Sequence, residues 1–98
     1  AQNNVNAGAA TIYMVKVDNT GNAAQKVFLK LYNNTGPTIG TTAPDIVIPA
    51  AGGATPELAI PEGIAFATGL SYACVTAGGT GGITNPTNPV IITLGITA

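Results

Sequence analysis

The chain has 98 residues, a formal net charge of −1 and only 7% charged residues, against roughly 25% in average soluble domains. Its positive residues are three lysines, and there is no histidine, which excludes a basic nucleic-acid-binding face and any catalytic site built on Ser-His or Cys-His. Hydrophobic residues nevertheless make up 46%, enough for one folded domain. A weakly charged surface of this kind favours association with neighbouring molecules.

The N-terminal stretch, "AQNNVNAGAA", is small and polar and has no periodicity. We expect residues 1–10 to form a flexible arm, which a neighbouring subunit could order. Residues 11–98 are expected to form a single β-sandwich domain. No apolar run approaches the length of a membrane span, and no basic start precedes an apolar stretch, so neither a membrane segment nor an uncleaved signal is expected.

The first two predicted strands are "TIYMVKVD" (11–18) and "KVFLKLY" (26–32), which are rich in β-branched and aromatic residues. The Asn- and Gly-containing segment 19–25 between them predicts an antiparallel hairpin. The side chains expected to point inward are Tyr13, Val15, Val17, Val27, Leu29 and Leu31. Phe28 and Tyr32 then point outward beside Lys30, where either the other sheet or another subunit would cover them.

Further along the chain, short apolar runs predict four more strands at 45–49, 57–61, 70–77 and 89–97. Pro49 has no N–H to donate and therefore marks a strand end or a sheet edge. Residues 62–69 are expected to be irregular or to form a single helical turn. In the last strand, one face should carry Val90, Ile92, Leu94 and Ile96.

No segment has a helical apolar period over ten or more residues, and Gly-, Pro-, Asn- and Thr-rich loops separate the strands. The predicted fold is therefore all-β: an antiparallel β-sandwich of about six to eight short strands. Jelly-roll and immunoglobulin-like topologies both remain open at this point.

Catalytic chemistry has few candidate residues. Glu57 and Glu62 are the closest pair of carboxylates for glycoside hydrolysis, but each stands near a proline at a strand or loop end, where a solvated carboxylate is the usual case. Cys74 is the only cysteine and lies in an apolar strand, so a small, buried, unreactive side chain is expected. We predict no enzymatic activity and no cofactor.

Metal binding and glycosylation have only weak candidates. Asp18, Asn19 and Asn22 could offer oxygen ligands to calcium, but a turn accounts for the same residues, so no metal site is predicted. "NNT" at 33–35 matches the N-glycosylation sequon, a three-residue pattern that matters only in a secretory context.

The segment "AGGTGGITNPTNP" (77–89) raises the question of a ligand cradle because it contains four glycines. A phosphate-binding loop joins a strand to a helix and usually contains a lysine. Here a strand follows, there is no lysine, and Asn-Pro occurs twice. The segment is predicted to be a long loop between two strands that is available for contacts with a partner.

Two longer strings, "KVFLKLYNNTGPTIGTTAPDIVIPAAGG" and "PEGIAFATGLSYACVTAGGTGG", resemble small β-sandwich structural proteins of tailed bacteriophages, of the head-decoration or cement type. The shared elements are a strand ending in L-K-L-Y, a P-T-x-G-T-x-x-P loop, a short I-x-I-P strand and G-I-A-F-x-T-G-L-S-Y-A. Together they cover residues 26–82, more than half of the chain.

This resemblance implies a virion component, assembled in the host cytoplasm and located on the capsid surface. The expected function is a non-enzymatic decoration protein that binds and stabilises the major capsid lattice as a homo-oligomer, with no nucleic-acid or membrane partner. The alternative is a tail, neck or fibre module that binds another virion protein or a host-surface ligand. The expected contact residues are Asn3, Asn4, Val5, Phe28, Tyr32, Pro37, Thr38, Thr80, Ile83 and Asn85.

Overall fold

The computed structural model describes residues 2–6 by their backbone and residues 9–37, 40–79, 81–82, 84, 86–88 and 90–97 in full. These residues form β-strands and connecting loops and contain no helix. The seven strands are β1 (Gln2–Asn6), β2 (Ala10–Asp18), β3 (Val27–Tyr32), β4 (Ile46–Ala50), β5 (Glu57–Phe66), β6 (Leu70–Val75) and β7 (Ile91–Thr97).

The strands form two sheets in which every pairing is antiparallel. The four-stranded sheet has the order β1-β6-β3-β4, and the three-stranded sheet has the order β5-β2-β7. The predicted all-β, antiparallel sandwich is confirmed. Pro49 lies in β4, the edge strand of the four-stranded sheet, as expected for a residue that lacks a backbone donor.

The core lies between the two sheets and consists of alternate residues from each. β3 contributes Val27, Leu29 and Leu31, as predicted, and all three are buried. The three-stranded sheet contributes, among others, Ile12 and Val15 from β2. The predicted apolar row on β7 is also confirmed, since Val90, Ile92, Leu94 and Ile96 pack against this core. The molecule is 17 Å across its shortest principal axis, in keeping with two sheets about 10 Å apart.

The predicted hairpin between β2 and β3 is wrong. β2 pairs with β5 and β7, whereas β3 pairs with β4 and β6, so residues 19–25 cross from one sheet to the other. The buried side chain of Asn19 holds this crossing, because its amide donates to the carbonyl oxygens of Gln25 (2.9 Å) and Ala51 (3.1 Å). Turn-forming residues therefore marked the connection correctly but did not reveal which strands it joins.

The predicted inward position of Tyr13 is also wrong. The register of β2 shifts between Ile12 and Met14 against both neighbouring strands. Against β7, Tyr13 is the extra residue of a bulge, whereas against β5 the extra residues belong to β5, whose residues 60–63 lie between the partners of Met14 and Ile12. Val15 and Val17 point inward as expected, but Tyr13 lies outside the core and is 41% exposed. The inward residues Ile12 and Val15 are separated by two residues, whereas regular alternation would separate them by one.

Two further segments differ from expectation. Gln2–Asn6, predicted to belong to a flexible arm, forms β1 and pairs with β6; its polar side chains gave no alternation, but strand pairing uses backbone groups that every residue except proline supplies. Residues 62–66, expected to be irregular or helical, continue β5 instead. A register shift opposite Tyr13 and a positive φ of 76° at Gly63 accommodate the local irregularity there.

The strand connectivity resembles the immunoglobulin arrangement in its centre. In the constant-type immunoglobulin fold, the second strand pairs with the fifth and the third with the sixth, and both pairings occur here. The terminal strands differ, because β1 lies beside β6 and β7 lies beside β2, whereas the immunoglobulin fold places the first strand beside the second and the seventh beside the sixth.

Candidate interaction surface

The outer face of the four-stranded sheet is covered by the protein's own chain. Its central outward residues are Lys30 and Tyr32 on β3, opposite Ala73 and Ser71 on β6. All four are 0% exposed, although they point away from the core between the sheets. The prediction that the second sheet or another subunit covers this face is therefore wrong for these positions, since they are buried within the single chain.

Lys30 shows how the covering loop is held. Its Nζ donates to the carbonyl oxygens of Gly79 (2.5 Å) and Gly82 (3.2 Å), both in the glycine-rich segment between β6 and β7. Burial lowers the pKa of the Lys30 ammonium group from its usual value, because desolvation disfavours the charged form. Backbone carbonyls thus take the place of water around the amine, and the glycine-rich loop covers a lysine of the same chain.

The glycines of this loop permit its close approach. A Cβ built at Gly78 would lie 3.0 Å from the Phe28 ring, and one built at Gly82 would lie 2.6 Å from the carbonyl oxygen of Ala77. A larger residue at Gly78 would push the loop away from the sheet, and one at Gly82 would disturb the path of the loop itself. Part of the glycine content of the segment is accordingly explained by packing against β3 and by its own tight path.

The loop after β3 also approaches this face. Ser71 donates its hydroxyl hydrogen to the carbonyl oxygen of Asn34 at 2.8 Å, and Pro37 is buried. The hydroxyl of Tyr32 is buried and has no hydrogen-bond partner among the residues that the structure describes, and burial raises the pKa of this phenol. The four-stranded sheet is therefore flanked by the core on one side and by loop segments on the other.

The residues considered for calcium serve the connection between the sheets. Asn22 donates to Asn19 Oδ1 (3.0 Å) and to the carbonyl oxygen of Asn88 (2.9 Å), and its own Oδ1 accepts from Asn88 N–H (2.8 Å). Asp18 accepts from the backbone and hydroxyl of Thr20, which lowers the pKa of its carboxyl. These amide groups join three loops at one end of the sandwich.

The outer face of the three-stranded sheet is, in contrast, open. Facing residues of paired strands share a side of the sheet, so Thr11, Met14 and Lys16 point outward, opposite the inward Ile12 and Val15. The uncharged part of this surface around Tyr13, called here the exposed sheet face, includes Thr11, Tyr13, Met14, Ala59, Ala65, Gly95 and Thr97. The charged residues Lys16, Asp18 and Glu57 lie together at its β2 C-terminal end.

Tyr13 has a defined position on this face. A Cβ built at Gly63 would lie 2.8 Å from Tyr13 Cε1 and 2.5 Å from Thr11 Cγ2. Only glycine fits there without displacement, and its positive φ excludes most other residues as well. The Tyr13 ring therefore lies over the Gly63 backbone, an arrangement known to stabilise glycines within β-sheets.

The ten predicted contact residues are placed very differently. Asn3, Asn4 and Val5 lie in β1, where Asn3 and Asn4 face Tyr72 and Ser71. Phe28 is half-buried, and Tyr32 and Pro37 are buried within the chain, so neither of these two presents its side chain to a partner. The remaining four lie outside the described residues: Thr38, Thr80, Ile83 and Asn85.

The residues considered for catalysis are exposed or only partly buried in the structure. Glu57 and Glu62 are both exposed. Cys74 is partly buried, and burial raises the pKa of its thiol to about 11, which makes it a poor nucleophile at neutral pH. The described residues contain no cluster of three or more His, Cys, Asp or Glu side chains for a metal ion, and none lies in a helix able to span a membrane.

Comparison with known proteins gives no family assignment. No protein-family model matches the chain, and neither a curated protein nor a solved structure matches it. The exposed sheet face is the candidate contact surface of the molecule. The sequence did not indicate it, because Tyr13 was expected in the core.

Proposed function

We propose that the protein is a non-enzymatic structural component of a tailed-phage virion, and that it acts as a decoration protein on the major capsid lattice. In this proposal the exposed sheet face is the principal contact surface, and binding stabilises the shell. The protein needs no cofactor, and it acts by covering and joining neighbouring subunits.

The observation that carries the proposal is the exposed sheet face, the open and uncharged part of the outer face of the three-stranded sheet. Tyr13 is 41% exposed and Ala59 and Ala65 are exposed beside it. Burying such a surface requires no desolvation of charged groups, which is the main penalty in polar interfaces. Aromatic residues are also enriched in the buried centre of protein interfaces. A capsid lattice adds many such contacts by multivalency.

The resemblance of residues 26–82 to head-decoration proteins supports the capsid as the partner. The strings that carry this resemblance include β3, β4, the second half of β5 and β6, together with the loops beside them. The proposal therefore combines two supports of different kinds: a sequence pattern for the class of particle, and a surface of suitable chemistry for adhesion.

The experiment adds purified protein to expanded heads that lack it, then measures co-sedimentation and the calorimetric melting temperature of the heads. We expect saturable binding in proportion to the number of capsid subunits and a higher melting temperature. Failure to bind, or binding without any change in melting temperature, would contradict the decoration function. Binding confined to tails or to a single vertex would support the tail or neck alternative instead.

A pair of variants tests the surface. Tyr13→Glu places a charge in the middle of the exposed sheet face, whereas Val47→Glu places one on the opposite side of the molecule, at a residue that is 39% exposed. We expect the Tyr13 variant to lose head binding by at least about tenfold, the range of an interface hot spot, and the Val47 variant to bind normally. Equal binding by both variants would exclude this face as the contact surface.

A further inference from the structure

Strand β7 is an open edge of the three-stranded sheet. Among the residues that the structure describes, β2 is the only strand beside it. Val17 N–H donates to the carbonyl oxygen of Pro56 at 3.0 Å, so the backbone groups of Val17 are directed towards β5. Because Ile92 lies opposite Val17 and antiparallel hydrogen bonding alternates, the backbone groups of Ile92 and Leu94 point away from β2.

The other three sheet edges carry features that oppose strand pairing. β4 contains Pro49, and β1 has a register irregularity between Asn4 and Asn6. β5 contains Pro61 and a positive-φ glycine at Gly63. Prolines, bulges and charges of this kind are the usual means by which edge strands are kept from pairing.

β7 has none of these features. Its sequence, IITLGIT, contains no charged residue and no proline, and the extra residue of the bulge opposite it belongs to β2. Seven uncharged residues, five of them β-branched, are a strong template for adding a further strand. Ile91 at its start is 63% exposed, and the inward residues Ile92, Leu94 and Ile96 are only half-buried.

We propose that β7 is a self-association edge, along which two copies of the chain pair antiparallel about a two-fold axis at Leu94. The two three-stranded sheets then join into one six-stranded sheet. This deepens the proposed function by assigning the interface of its homo-oligomer, but it concerns contacts between copies and not contacts with the capsid.

The pattern of side chains along β7 identifies a second copy as the occupant. An axis at Leu94 places Ile92 opposite Ile96 of the other copy, so the apolar row reads Ile-Leu-Ile in both directions. On the outer side, the same axis places Thr93 opposite Gly95 of the other copy, and a β-branched side chain fills the space that a glycine leaves. Self-complementarity of this kind is what a two-fold interface requires.

The joined edge also buries the residues that the single chain leaves half-covered. Ile92, Leu94 and Ile96 pack against the core but lie at its margin, since β7 is the outermost strand. In the proposed dimer, the apolar row on β7 of each copy extends the hydrophobic core of the other copy. Apolar burial then adds to the backbone hydrogen bonds formed along the strand.

The test introduces a charge at Thr93, which points outward and faces Lys16 within the chain. Thr93→Glu is compatible with the fold because it places a carboxylate beside that lysine. Across the proposed axis, the two residues 93 are diagonal neighbours, about 7–8 Å apart, and two glutamates there repel each other. Thr55→Glu is the control, since it adds the same charge at an exposed residue just before β5, the other edge strand of the same sheet, and outside the exposed sheet face.

Sedimentation velocity over a concentration series of the full chain measures the association. We expect wild type and Thr55→Glu to form dimers with the same dissociation constant, and Thr93→Glu to raise that constant by about two- to fivefold, the scale of like-charge cross-strand pairs. A mixture of Thr93→Glu and Thr93→Lys should form a heterodimer more tightly than either variant alone forms a homodimer.

A wild-type chain that remains monomeric throughout the series would overturn the inference, and so would a dimer unaffected by Thr93→Glu or a mixture with no gain. The head-binding experiment is read separately. Loss of dimerisation with intact head binding would reject the β7 edge and leave the decoration function standing, whereas dimerisation without head binding would do the reverse.

Discussion

The two outer faces of the sandwich have similar alternating strands but opposite surroundings. On the four-stranded sheet, the outward Lys30 and Tyr32 are completely buried beneath the chain's own loops. On the three-stranded sheet, the outward Tyr13 is substantially exposed, and the residues around it are uncharged, with the charged Lys16, Asp18 and Glu57 confined to one end of that face. Alternation along a strand therefore determines the side of the sheet on which a side chain lies, whereas loop packing determines whether that side is exposed to solvent.

The largest expected effect on stability concerns the covered outer face of the four-stranded sheet. Lys30→Ala removes a buried stem and both hydrogen bonds to the carbonyls of Gly79 and Gly82. We expect the free energy of unfolding to fall by about 3 kcal/mol, since bonds to charged groups contribute about 1.5–3 kcal/mol each. Urea denaturation measures this loss, and hydrogen exchange should accelerate at Gly82 N–H, which donates to the Gly79 carbonyl.

The control for this variant is Lys26→Ala. Lys26 is exposed, and its ammonium lies 5.2 Å from the centre of the Phe28 ring, an interaction of about 0.5–1 kcal/mol at exposed sites. If Lys30→Ala lowers the free energy of unfolding by no more than Lys26→Ala does, Lys30 does not hold the loop.

A second prediction concerns the exposed sheet face and the position of Tyr13 on it. Gly63→Ala places a methyl group against Thr11 and the Tyr13 ring at a position with positive φ, so we expect a loss of about 2 kcal/mol. Gly36→Ala is the matched control, because a Cβ there would meet no atom within 4 Å. Thermal unfolding compares the two, and equal stabilities would show that the bulge does not fix Tyr13.

A third, smaller effect concerns the loop after β3. Ser71→Ala removes the buried hydroxyl that donates to the Asn34 carbonyl, and we expect a loss of about 1–2 kcal/mol, typical of a buried hydrogen bond whose partner is left unpaired. Thr97→Ser on the exposed sheet face should change stability by less than about 0.5 kcal/mol. Similar losses in the two variants, measured in urea, would contradict the difference in burial between the faces.

The smallest expected effect is a gain in stability. The Tyr32 hydroxyl is buried and has no hydrogen-bond partner in the described part of the chain, so Tyr32→Phe should leave stability unchanged or raise it by up to about 1 kcal/mol. Because burial raises the Tyr32 pKa above its usual value of 10.0, the unfolded chain releases its proton first, and wild-type stability should decline as pH rises above about 10. Urea denaturation at increasing pH measures this decline, which should be weaker in the phenylalanine variant. A clear loss of stability on substitution would indicate that the hydroxyl is hydrogen-bonded after all.

The sequence was sufficient for the fold class and for most strand positions, because β3 and β7 alternate regularly and proline and glycine separate the strands. It was insufficient for the strand partners, since turn residues such as Asn19 serve a crossing between sheets as well as a hairpin. The polar β1 pairs through its backbone, which leaves no side-chain pattern. Tyr13 was misplaced because one extra residue in a bulge reverses the side on which it lies.

The candidate contact surface was harder to predict for the same physical reason. The loops were chosen as contacts because they are long and polar, yet part of the glycine-rich loop covers Lys30, and Tyr32 and Pro37 lie inside the chain. Coverage by distant segments depends on contacts such as that of Lys30 with Gly79, 49 residues apart, which no local pattern encodes.

Hydroxyl-radical footprinting of the protein, free and bound to expanded heads, tests the central claim most directly. Tyr13 and Met14 are reactive side chains on the exposed sheet face, and Phe28 on the covered side is an internal reference. The account predicts that oxidation of Tyr13 and Met14 falls several-fold on binding while that of Phe28 is unchanged. Bound protein in which Tyr13 remains as reactive as in the free chain would contradict it.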